Sequence, residues 1–476
     1  MMHIARRMGT ILAASGACLL AGCNLAPVYH PPVMPTPVAY KPLPGWVSAA
    51  PSDTAARGAW WTVFADPVLN GLEEKLDSGN PDLQAAVARY DEARGYAEQA
   101  KGGLLPSVGL QGNAMQNRQS EDRPLRGSNL PNNYGSDQVN GVAGYELDLW
   151  GKLRNELRSR NALAQASDDD RAAMQLSLEA QLASSYFELR GLDADMLLLT
   201  QTVAAYQKSY DLTQTLYKGK VAAEMDVSRA SVQLNNAKTA AADIEANRAL
   251  MENAVAVLVD ENPSSFVLAP ANVPMTLPNI PDGIPATLLQ RRPDVASAER
   301  AIASANAEIG VARAAFYPSI TIGAMGGIMS HGTNPFNLAD LFWSLGPSVS
   351  LPLFEGGKLK GQLATNFARF RETSALYKST ALVAFKEVED NRAMLYRLAQ
   401  EAESSRAAAL AAEQTTGAAT SLYGDGATSY LDVVTAQTAM LQAQQATLDI
   451  RTRRFVATVN LIRALGGGWS ATVGLH

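Results

Sequence analysis

Leu147-Asp148-Leu149-Trp150-Gly151-Lys152-Leu153 opens the stretch that decides the fold of this 476-residue chain. From Gly151 to Lys218 the sequence is rich in Ala and contains no Pro, and after a short break Asp226 begins a return segment. A helix over 151–218 rises 1.5 Å per residue and would be about 100 Å long. Because globular helices average about 11–12 residues, a helix of this length needs packing partners along its whole length.

Apolar residues recur every seven positions along this segment and predict the packing seam. One register holds Leu182, Leu189, Met196, Val203, Tyr210 and Tyr217. The companion register holds Leu178, Leu192, Leu199 and Tyr206. Heptad spacing of this kind is typical of a coiled coil. At this point an ordinary coiled-coil filament or stalk is a competing interpretation.

The same plan recurs about 206 residues later, which predicts two internal structural repeats. Leu351-Pro352-Leu353-Phe354-Glu355-Gly356-Gly357-Lys358-Leu359 repeats the opening, and Asp432 repeats the restart after a break at 422–426. Upstream of each opening lies a shorter helical segment, which begins near Asn80-Pro81 or Arg292-Pro293. Asn before Pro is a strong signal for a helix start, since Asn caps the helix and Pro suits its first position.

Four segments of alternating apolar and polar residues follow the shorter helices in pairs. They predict strands at about 107–120, 137–149, 319–330 and 342–354. Segments of about ten residues with a period of two and one apolar face are typical of membrane-spanning strands, and two soluble hairpins are the alternative. Four strands cannot close a barrel, and an open edge cannot persist in lipid. Several chains would therefore share one barrel; three is the smallest symmetric number that leaves a wide lumen, although the sequence itself does not fix it.

The N-terminus carries a targeting signal. Arg6 and Arg7 precede an apolar run, and small residues precede a cleavage point, as in a secretory signal peptide over 1–22. Leu20-Ala21-Gly22-Cys23 resembles the bacterial lipobox, and this resemblance implies that Cys23 is cleaved free and acylated, with N-acyl (palmitate) and S-diacylglycerol lipid. Asn24 follows in place of the Asp that commonly retains lipoproteins at the inner membrane. The resemblance therefore implies delivery to the outer membrane.

These features predict the following division of the chain. A Pro-rich tether over 23–65 follows the signal peptide, with Trp60-Trp61 and Phe64 beginning the packed body. The first repeat spans 66–262 and contains long helices at about 151–218 and 226–260. A Pro-rich linker spans 263–285. The second repeat spans 286–476 and contains long helices at about 358–422 and 432–465.

Composition argues against several function classes. The net charge of −6 disfavours nucleic-acid binding. None of the four His has a spacing to carboxylates that suggests zinc, and no nucleophile elbow or phosphate-binding loop is found. We therefore expect no enzyme, no metal and no cofactor beyond the covalent lipid. The mature chain would hold one Cys, so no internal disulfide can form.

Nine sequence motifs together resemble the outer membrane factor family of TolC-like and OprM-like ducts, and most closely its NodT-type efflux lipoproteins. The motifs are Leu20-Ala21-Gly22-Cys23, Ala26-Pro27-Val28-Tyr29, Trp60-Trp61, Asn80-Pro81-Asp82-Leu83, Tyr145-Glu146-Leu147-Asp148-Leu149-Trp150-Gly151, Arg291-Arg292-Pro293-Asp294-Val295, Tyr317-Pro318, Leu353-Phe354-Glu355-Gly356-Gly357 and Ala464-Leu465-Gly466-Gly467-Gly468-Trp469.

The resemblance implies a mixed α+β membrane protein. It would be a homotrimer in which four strands per chain form a twelve-stranded outer-membrane β-barrel that continues into a long periplasmic α-helical barrel. The partners implied are a periplasmic adaptor (membrane fusion) protein and an inner-membrane RND-type pump, which supplies the energy. The chain would then be a passive exit duct for small molecules such as drugs or toxic compounds. An exit duct for type I protein secretion and a structural coiled-coil lipoprotein are the alternatives, and the cargo cannot be named from the sequence.

The breaks between the long helices are the predicted gate. In the family these turns form the periplasmic tips, where the pore closes and the adaptor docks. We expect a small set of residues to line or brace the constriction: Tyr423, Asp425, Leu431, Asp432, Thr435, Asp226 and Arg229. Three-fold symmetry would make Asp432 a ring of carboxylates that favours cations; stabilisation of its own helix N-terminus is the alternative role. Many relatives carry Asp-Ala-Gln where this chain has Thr435-Ala436-Gln437, so one acidic ring would be missing.

Overall fold

The computed structural model describes residues 24–31, 58–121, 132–271, 277–278, 292–330 and 338–467. Within these ranges the chain is mostly helical, with four strands, and 3-10 turns lie at Trp60–Phe64 and Leu338–Asp340. The helices and strands in chain order are α1 Pro67–Gly79, α2 Pro81–Gly102, β1 Ser107–Arg118, β2 Asn133–Glu146, α3 Lys152–Lys218, α4 Glu224–Leu258, α5 Pro293–Ala314, β3 Ser319–Ser330, β4 Leu341–Ser350, α6 Lys358–Gly424 and α7 Tyr430–Ala464.

Matching element lengths in the two halves reflect the sequence repeat. Helices α3 and α6 each have 67 residues, α4 and α7 each have 35, and α2 and α5 each have 22. No helix in the described ranges carries an apolar stretch long enough to cross a bilayer.

Several predicted boundaries differ from the observed ones. Strand β2 spans 133–146 rather than 137–149. The N–H of Leu147 still donates to the carbonyl of Ile320 in β3 at 2.8 Å, but the chain then turns away, and the Asp148 carboxylate caps α3 through the backbone N–H groups of Leu153 and Arg154, at 3.1 and 2.9 Å. Strand β4 spans 341–350 rather than 342–354, since Pro352 lacks the N–H that continued pairing needs. Helix α4 spans 224–258 rather than 226–260, and α7 begins at Tyr430 and ends at Ala464 rather than spanning 432–465. Strand β1 ends at Arg118 rather than 120, and α6 continues to Gly424.

The chain divides into two compact units. The first contains residues 89–168 and 297–378 with the N-terminal segment 24–31. Its strands form one antiparallel sheet in the order β1-β2-β3-β4, so β1 and β4 are the edges. The register places Leu110, Gly141, Gly326 and Trp343 in one row, and Gln111, Asn140, Gly327 and Phe342 in the next row on the opposite face. The alternation predicted from the sequence therefore places most apolar residues on one face and most polar residues on the other, with Phe342 an exception on the polar face.

The apolar face of this sheet is exposed within the single chain. Leu110 is 79% exposed, Trp343 77% and Leu345 68%. Near the start of β3, Trp150 stacks on Tyr317 with ring centroids 4.8 Å apart, and its indole N–H donates to the carbonyl of Pro318 at 2.8 Å. Both aromatic residues belong to the motifs recognised in the sequence, and the contact joins the end of the first hairpin to the beginning of the second.

Segment 24–31 packs along α5 in the same unit. The Arg313 guanidinium donates to the Leu25 carbonyl at 3.1 Å, the Asn306 amide donates to the Pro27 carbonyl at 2.9 Å, and the Tyr29 hydroxyl donates to Glu299 at 2.6 Å. Gly310 permits this approach, because a Cβ there would lie 2.8 Å from the Cβ of Ala26. The Ala26-Pro27-Val28-Tyr29 motif is thus a docked strap along the helix.

The second unit contains residues 58–88, 169–271, 292–296 and 379–467 of the described chain. An aromatic cluster forms its centre: the Phe187 ring lies 4.7 Å from that of Phe64 and 4.8 Å from that of Phe455. Leu182, Leu189 and Leu199 of the predicted heptad seam are fully buried. The seam opens towards the end of α3, where Tyr217 is 43% exposed.

Buried charged side chains join helices in the second unit. Arg292 donates to Glu387 at 2.6 Å, to Asp294 at 2.7 Å and to the carbonyl of Ala464 at 3.3 Å, which explains the Arg-Pro-Asp motif at the start of α5. Asp193 accepts from Arg190 and Arg248 at 2.8 and 2.7 Å. These contacts satisfy buried ionised groups, as burial of charge requires.

Candidate functional site: the turns between the long helices

Equivalent turns connect α3 to α4 and α6 to α7. In the first, the N–H of Val221 donates to the carbonyl of Leu216 at 2.9 Å; in the second, the N–H of Ala427 donates to the carbonyl of Leu422 at 2.8 Å. Lys220 and Gly426 occupy matching left-handed positions, with φ of 59° and 73°. Both helices therefore end in the same C-terminal motif, which requires one left-handed residue. Gly426 adopts this conformation without a steric penalty, whereas Lys220 does not.

A small aromatic cluster supports the second turn. Tyr430, Val433 and Ala230 are buried together, and Tyr210 and Tyr423 pack against them. The rings of Tyr423 and Tyr430 lie 5.1 Å apart. This cluster joins residues of α3, α4, α6 and α7, so the two turns are braced by a shared apolar core.

The predicted pair of Asp226 and Arg229 lies beside this core. The Arg229 guanidinium donates to the Asp226 carboxylate at 3.3 Å across one turn of α4, and both side chains are partly buried. Burial raises the pKa of Tyr430 to about 12, and the nearby hydroxyl of Tyr423 and the Asp226 charge act in the same direction. Tyr430 is therefore neutral in solution near pH 7 and can only donate or accept hydrogen bonds.

The Asp432 carboxylate accepts hydrogen bonds from residues at the N-terminus of its own helix, α7. It accepts from the Thr428 hydroxyl at 2.6 Å, from the Ser429 hydroxyl at 2.8 Å and from the Ser429 N–H at 3.2 Å. These bonds hold the pKa of Asp432 below its usual range, with the Thr428 bond the largest cause. The contacts correspond to a capping box at the helix N-terminus, where the sequence analysis placed Asp432 but did not predict these hydrogen bonds.

The remaining predicted residues lie on exposed surface. Leu431 is 50% exposed, and Asp432 and Thr435 share its exposed face of α7, opposite buried Val433 and Ala436. Asp425 is exposed in the turn itself. The structure thus gathers Asp226, Arg229 and Tyr423 around the aromatic core, and it places Leu431, Asp432 and Thr435 together on a separate, open face.

Sequence reasoning missed two buried residues at this site. Tyr430 is central to the cluster, and Gln437 joins α7 to α3: its side-chain amide donates to the Ser209 hydroxyl at 3.2 Å, while its backbone carbonyl accepts from the Tyr206 hydroxyl at 3.1 Å. The heptad position of Tyr206 was a usable signal, since it predicted that this stretch of α3 faces another helix. Gln437 also shows that the Thr435-Ala436-Gln437 motif has a packing role.

Two other predictions concern the acylation of Cys23 and the binding of metal ions. Cys23 lies outside the described residues, so its acylation stays a prediction. No group of three or more His, Cys, Asp or Glu side chains within the described residues is arranged to hold a metal ion.

Comparison with known proteins gives consistent results. The chain is 30% identical to the toluene efflux pump outer membrane protein TtgC of Pseudomonas putida, over 96% of this chain and 95% of that protein. It is 28% identical to the cation efflux system protein CusC of Escherichia coli, over 95% and 97% of the two chains. The crystal structure of a membrane protein from Pseudomonas aeruginosa superposes with a TM-score of 0.86 at 27% identity and covers 95% of this chain and all of that one.

The sequence profile of the outer membrane efflux protein family matches residues 72–259 and 284–467, once in each repeat. This match spans most of the chain, includes ten of the eleven helices and strands at full length, and contains both turns of the candidate gate. The chain belongs to the outer membrane efflux protein family.

Proposed function

We propose that this protein is the outer-membrane exit duct of a tripartite efflux system and that it passively conducts small molecules to the cell exterior. The observation that carries the proposal is the family match in both repeats, on a chain whose four-stranded sheet exposes an apolar face. The sheet is the membrane-spanning part, and the paired long helices form the conduit. The duct carries out no chemical step.

Three copies complete the barrel. In one chain β1 and β4 are sheet edges, and Leu110 and Trp343 on their apolar face are largely exposed. Lipid cannot satisfy the backbone hydrogen-bonding groups of such edges. Pairing β1 of one copy with β4 of the next in a closed ring of three gives twelve strands, and the long helices of the three copies form the helical barrel.

A periplasmic adaptor and an inner-membrane RND-type pump are the proposed partners. Relatives that match this chain about equally well are named for toluene and for cation efflux. The sheet face opposite the apolar one carries small and polar residues such as Gly109, Gln111 and Ser344. A lining of this kind lacks a selective pocket, so the pump selects the cargo.

The lipid anchor on Cys23 holds the chain to the inner leaflet of the outer membrane. Support comes from the strap, since Arg313 in the last turn of α5 holds Leu25, two residues after Cys23. Strand β3 begins six residues after Arg313. Labelling cells with a palmitate analogue tests the anchor: wild type takes up label and Cys23→Ser does not, whereas equal labelling of both would refute it.

The gate lies at the turns between the long helices. Tyr423, Asp226 and Arg229 brace it through the aromatic core, and Leu431, Asp432 and Thr435 face the pore from α7. The adaptor docks at Asp425 and its neighbours in the turn. The first turn of α7 is the element whose movement opens the pore.

Intracellular accumulation of dyes, antibiotics and metal ions in cells with and without the gene tests the function. Deletion raises accumulation, and wild type reverses the rise, but a version lacking the turn 424–431 does not. A matched control shortens the segment 331–337, which lies between β3 and β4 in the sequence, and retains function. Unchanged accumulation of every compound, together with loss of a secreted protein from the medium, would indicate a type I secretion duct; no change in either would indicate a structural tether.

A further inference from the structure

A fully buried carboxyl group lies on the inward face of α1. Glu73 has no exposed surface and shares its helix face with the buried residues Leu69, Leu72 and Leu76. Neither carboxylate oxygen has a hydrogen-bond partner among the described residues. An ionised carboxylate in such a place would cost many kcal/mol, so the group requires a counter-charge or a proton.

Two further acids surround this position. Glu179 of α3 is 5% exposed and accepts the Trp60 indole N–H at 2.7 Å. Asp77, one turn after Glu73, accepts from the Gln175 amide of α3 at 3.1 Å. The neighbours that face Glu73 electrostatically are therefore acids, and both act to disfavour its ionised form.

Lys75 of α1, Arg190 of α3 and Arg463 of α7 are engaged with other partners. Lys75 pairs with Glu261 at 2.6 Å on the exposed side of α1. Arg463 of α7 is directed to Glu387 at 3.3 Å, and Arg190 of α3 to Asp193 at 2.8 Å. At the start of α1, the buried Asp66 accepts from the Tyr186 hydroxyl at 2.6 Å. Among the described residues, the charged groups that act on Glu73 are therefore carboxyl groups, and no cation is directed at it.

We propose that Glu73, Glu179 and Asp77 form a proton-binding cluster, in which Glu73 is a neutral carboxylic acid and the packing of α1 on α3 weakens as the pH rises. The inference concerns the local stability of α1 and does not rest on the proposed transport function. Burial raises the pKa of Glu73 to about 10 and that of Glu179 to about 7, and the mutual repulsion of the acids adds to both effects.

The direction of the pH effect follows from proton linkage. Unfolded α1 would release the Glu73 proton near the ordinary value for Glu, whereas the packed helix retains it up to a much higher pH. Between these two values the open state binds fewer protons, so stability of the packing is greatest in acid and declines as the pH rises. Each retained proton changes the opening equilibrium by up to about tenfold per pH unit.

Infrared spectroscopy of the purified full-length protein tests the protonation state directly. At pH 9, where Glu179 is ionised, the wild type shows the C=O stretch of a protonated carboxyl group, and Glu73→Gln lacks it. Glu74→Gln is the matched control, since Glu74 is exposed on the same helix, and it retains the band. In Glu179→Gln the band persists but disappears at a lower pH than in wild type, because a repelling charge is gone. A wild type without the band, or a band unaffected by Glu73→Gln, overturns the proposal.

Hydrogen exchange tests whether the packing of α1 on α3 weakens as the pH rises. After correction for the intrinsic rate, opening of peptides within 67–79 increases from pH 8 to pH 9, where Glu179 is ionised, in wild type and in Glu74→Gln, and stays flat in Glu73→Gln. Opening that is greater in Glu73→Gln than in wild type at pH 8 would mean that Glu73 is ionised and paired, and this result overturns the proposal. Both readouts report on α1 even in a protein that exports nothing.

Discussion

At the residue scale, Asp432 can act through its charge or through its cap, and two substitutions separate these roles. Asp432→Asn removes the charge but keeps an oxygen that can accept from Ser429, whereas Asp432→Ala removes both. If Asp432 lines the pore, both variants lower the preference for cations in single-channel recordings, because the ring of carboxylates is lost. Hydrogen exchange in the first turn of α7 rises mainly in Asp432→Ala, since only this variant leaves the Ser429 N–H without its acceptor.

If Asp432 lines the pore, the preference for cations should decrease as the pH falls. Hydrogen bonds from Thr428 and Ser429 lower the pKa of Asp432, so its charge persists in mild acid and is lost only as the pH falls through this lowered value. The exposed Asp425 in the same turn is a suitable control, because Asp425→Asn removes a charge without removing a cap. Unchanged conductance and ion selectivity in both Asp432 variants would exclude a pore-lining role.

The limits of prediction at this scale have a physical cause. Tyr430 is buried only because residues of α3, α4 and α6 converge on it, and no local pattern in residues 423–435 encodes that convergence. The ion pair of Asp226 and Arg229 could be anticipated from the sequence, since a three-residue spacing places the two residues on one face of a helix. The buried acid Glu73 was not, because an isolated Glu within an apolar helix face gives no indication of which neighbours surround it.

At the scale of elements, the two faces of β1 should respond differently to charge. Leu110→Arg places a guanidinium on the apolar face, at a cost of up to about 2–4 kcal/mol near the bilayer centre. Gln111→Arg places the same group on the polar face. We expect Leu110→Arg to be depleted from the outer-membrane fraction and Gln111→Arg to be present at the wild-type level. Equal amounts of the two variants in that fraction would contradict a lipid-facing assignment for Leu110.

Close packing of α3 against α7 depends on one glycine. A Cβ at Gly191 would overlap the Thr452 side chain, with Cγ2 at 3.0 Å and Cβ at 3.2 Å. Gly191→Ala should therefore destabilise the protein by about 1–3 kcal/mol. Gly417→Ala in α6 is the control, since nothing lies within 4 Å of its added Cβ, and helix propensity favours Ala by up to about 1 kcal/mol. Thermal unfolding followed by circular dichroism should show opposite shifts; an equal shift would show that Thr452 moves aside.

Helices and strands could be predicted more completely than the contacts between them, because the periodicity of apolar residues indicates which face of a helix or strand is buried. The heptads of α3 and the alternation in β1 and β3 depend only on local spacing, and they identified long helices and four strands. The ends of β2 and β4 were misplaced because apolar alternation continues through Leu147, Leu149, Leu351 and Leu353, beyond the last residues of the two strands. What ends β2 is the capping of α3 by Asp148, a contact between elements that alternation does not encode.

At the scale of the whole molecule, the number of copies is the property that one chain cannot reveal. A sheet with two free edges fits any ring in which β1 pairs with β4, and the choice of three rests on the number of strands that closes a conduit. Co-expression of two forms that differ only by a charged C-terminal tag tests this choice. Native mass spectrometry of the mixed assemblies should show species with no, one, two or three tags, in proportions set by random mixing. A series ending at two tags would indicate a dimer, and unmixed species would indicate a monomer.

Leu110→Arg should abolish the mixed species while Gln111→Arg preserves them, since an assembly that closes only in the membrane requires insertion of the sheet.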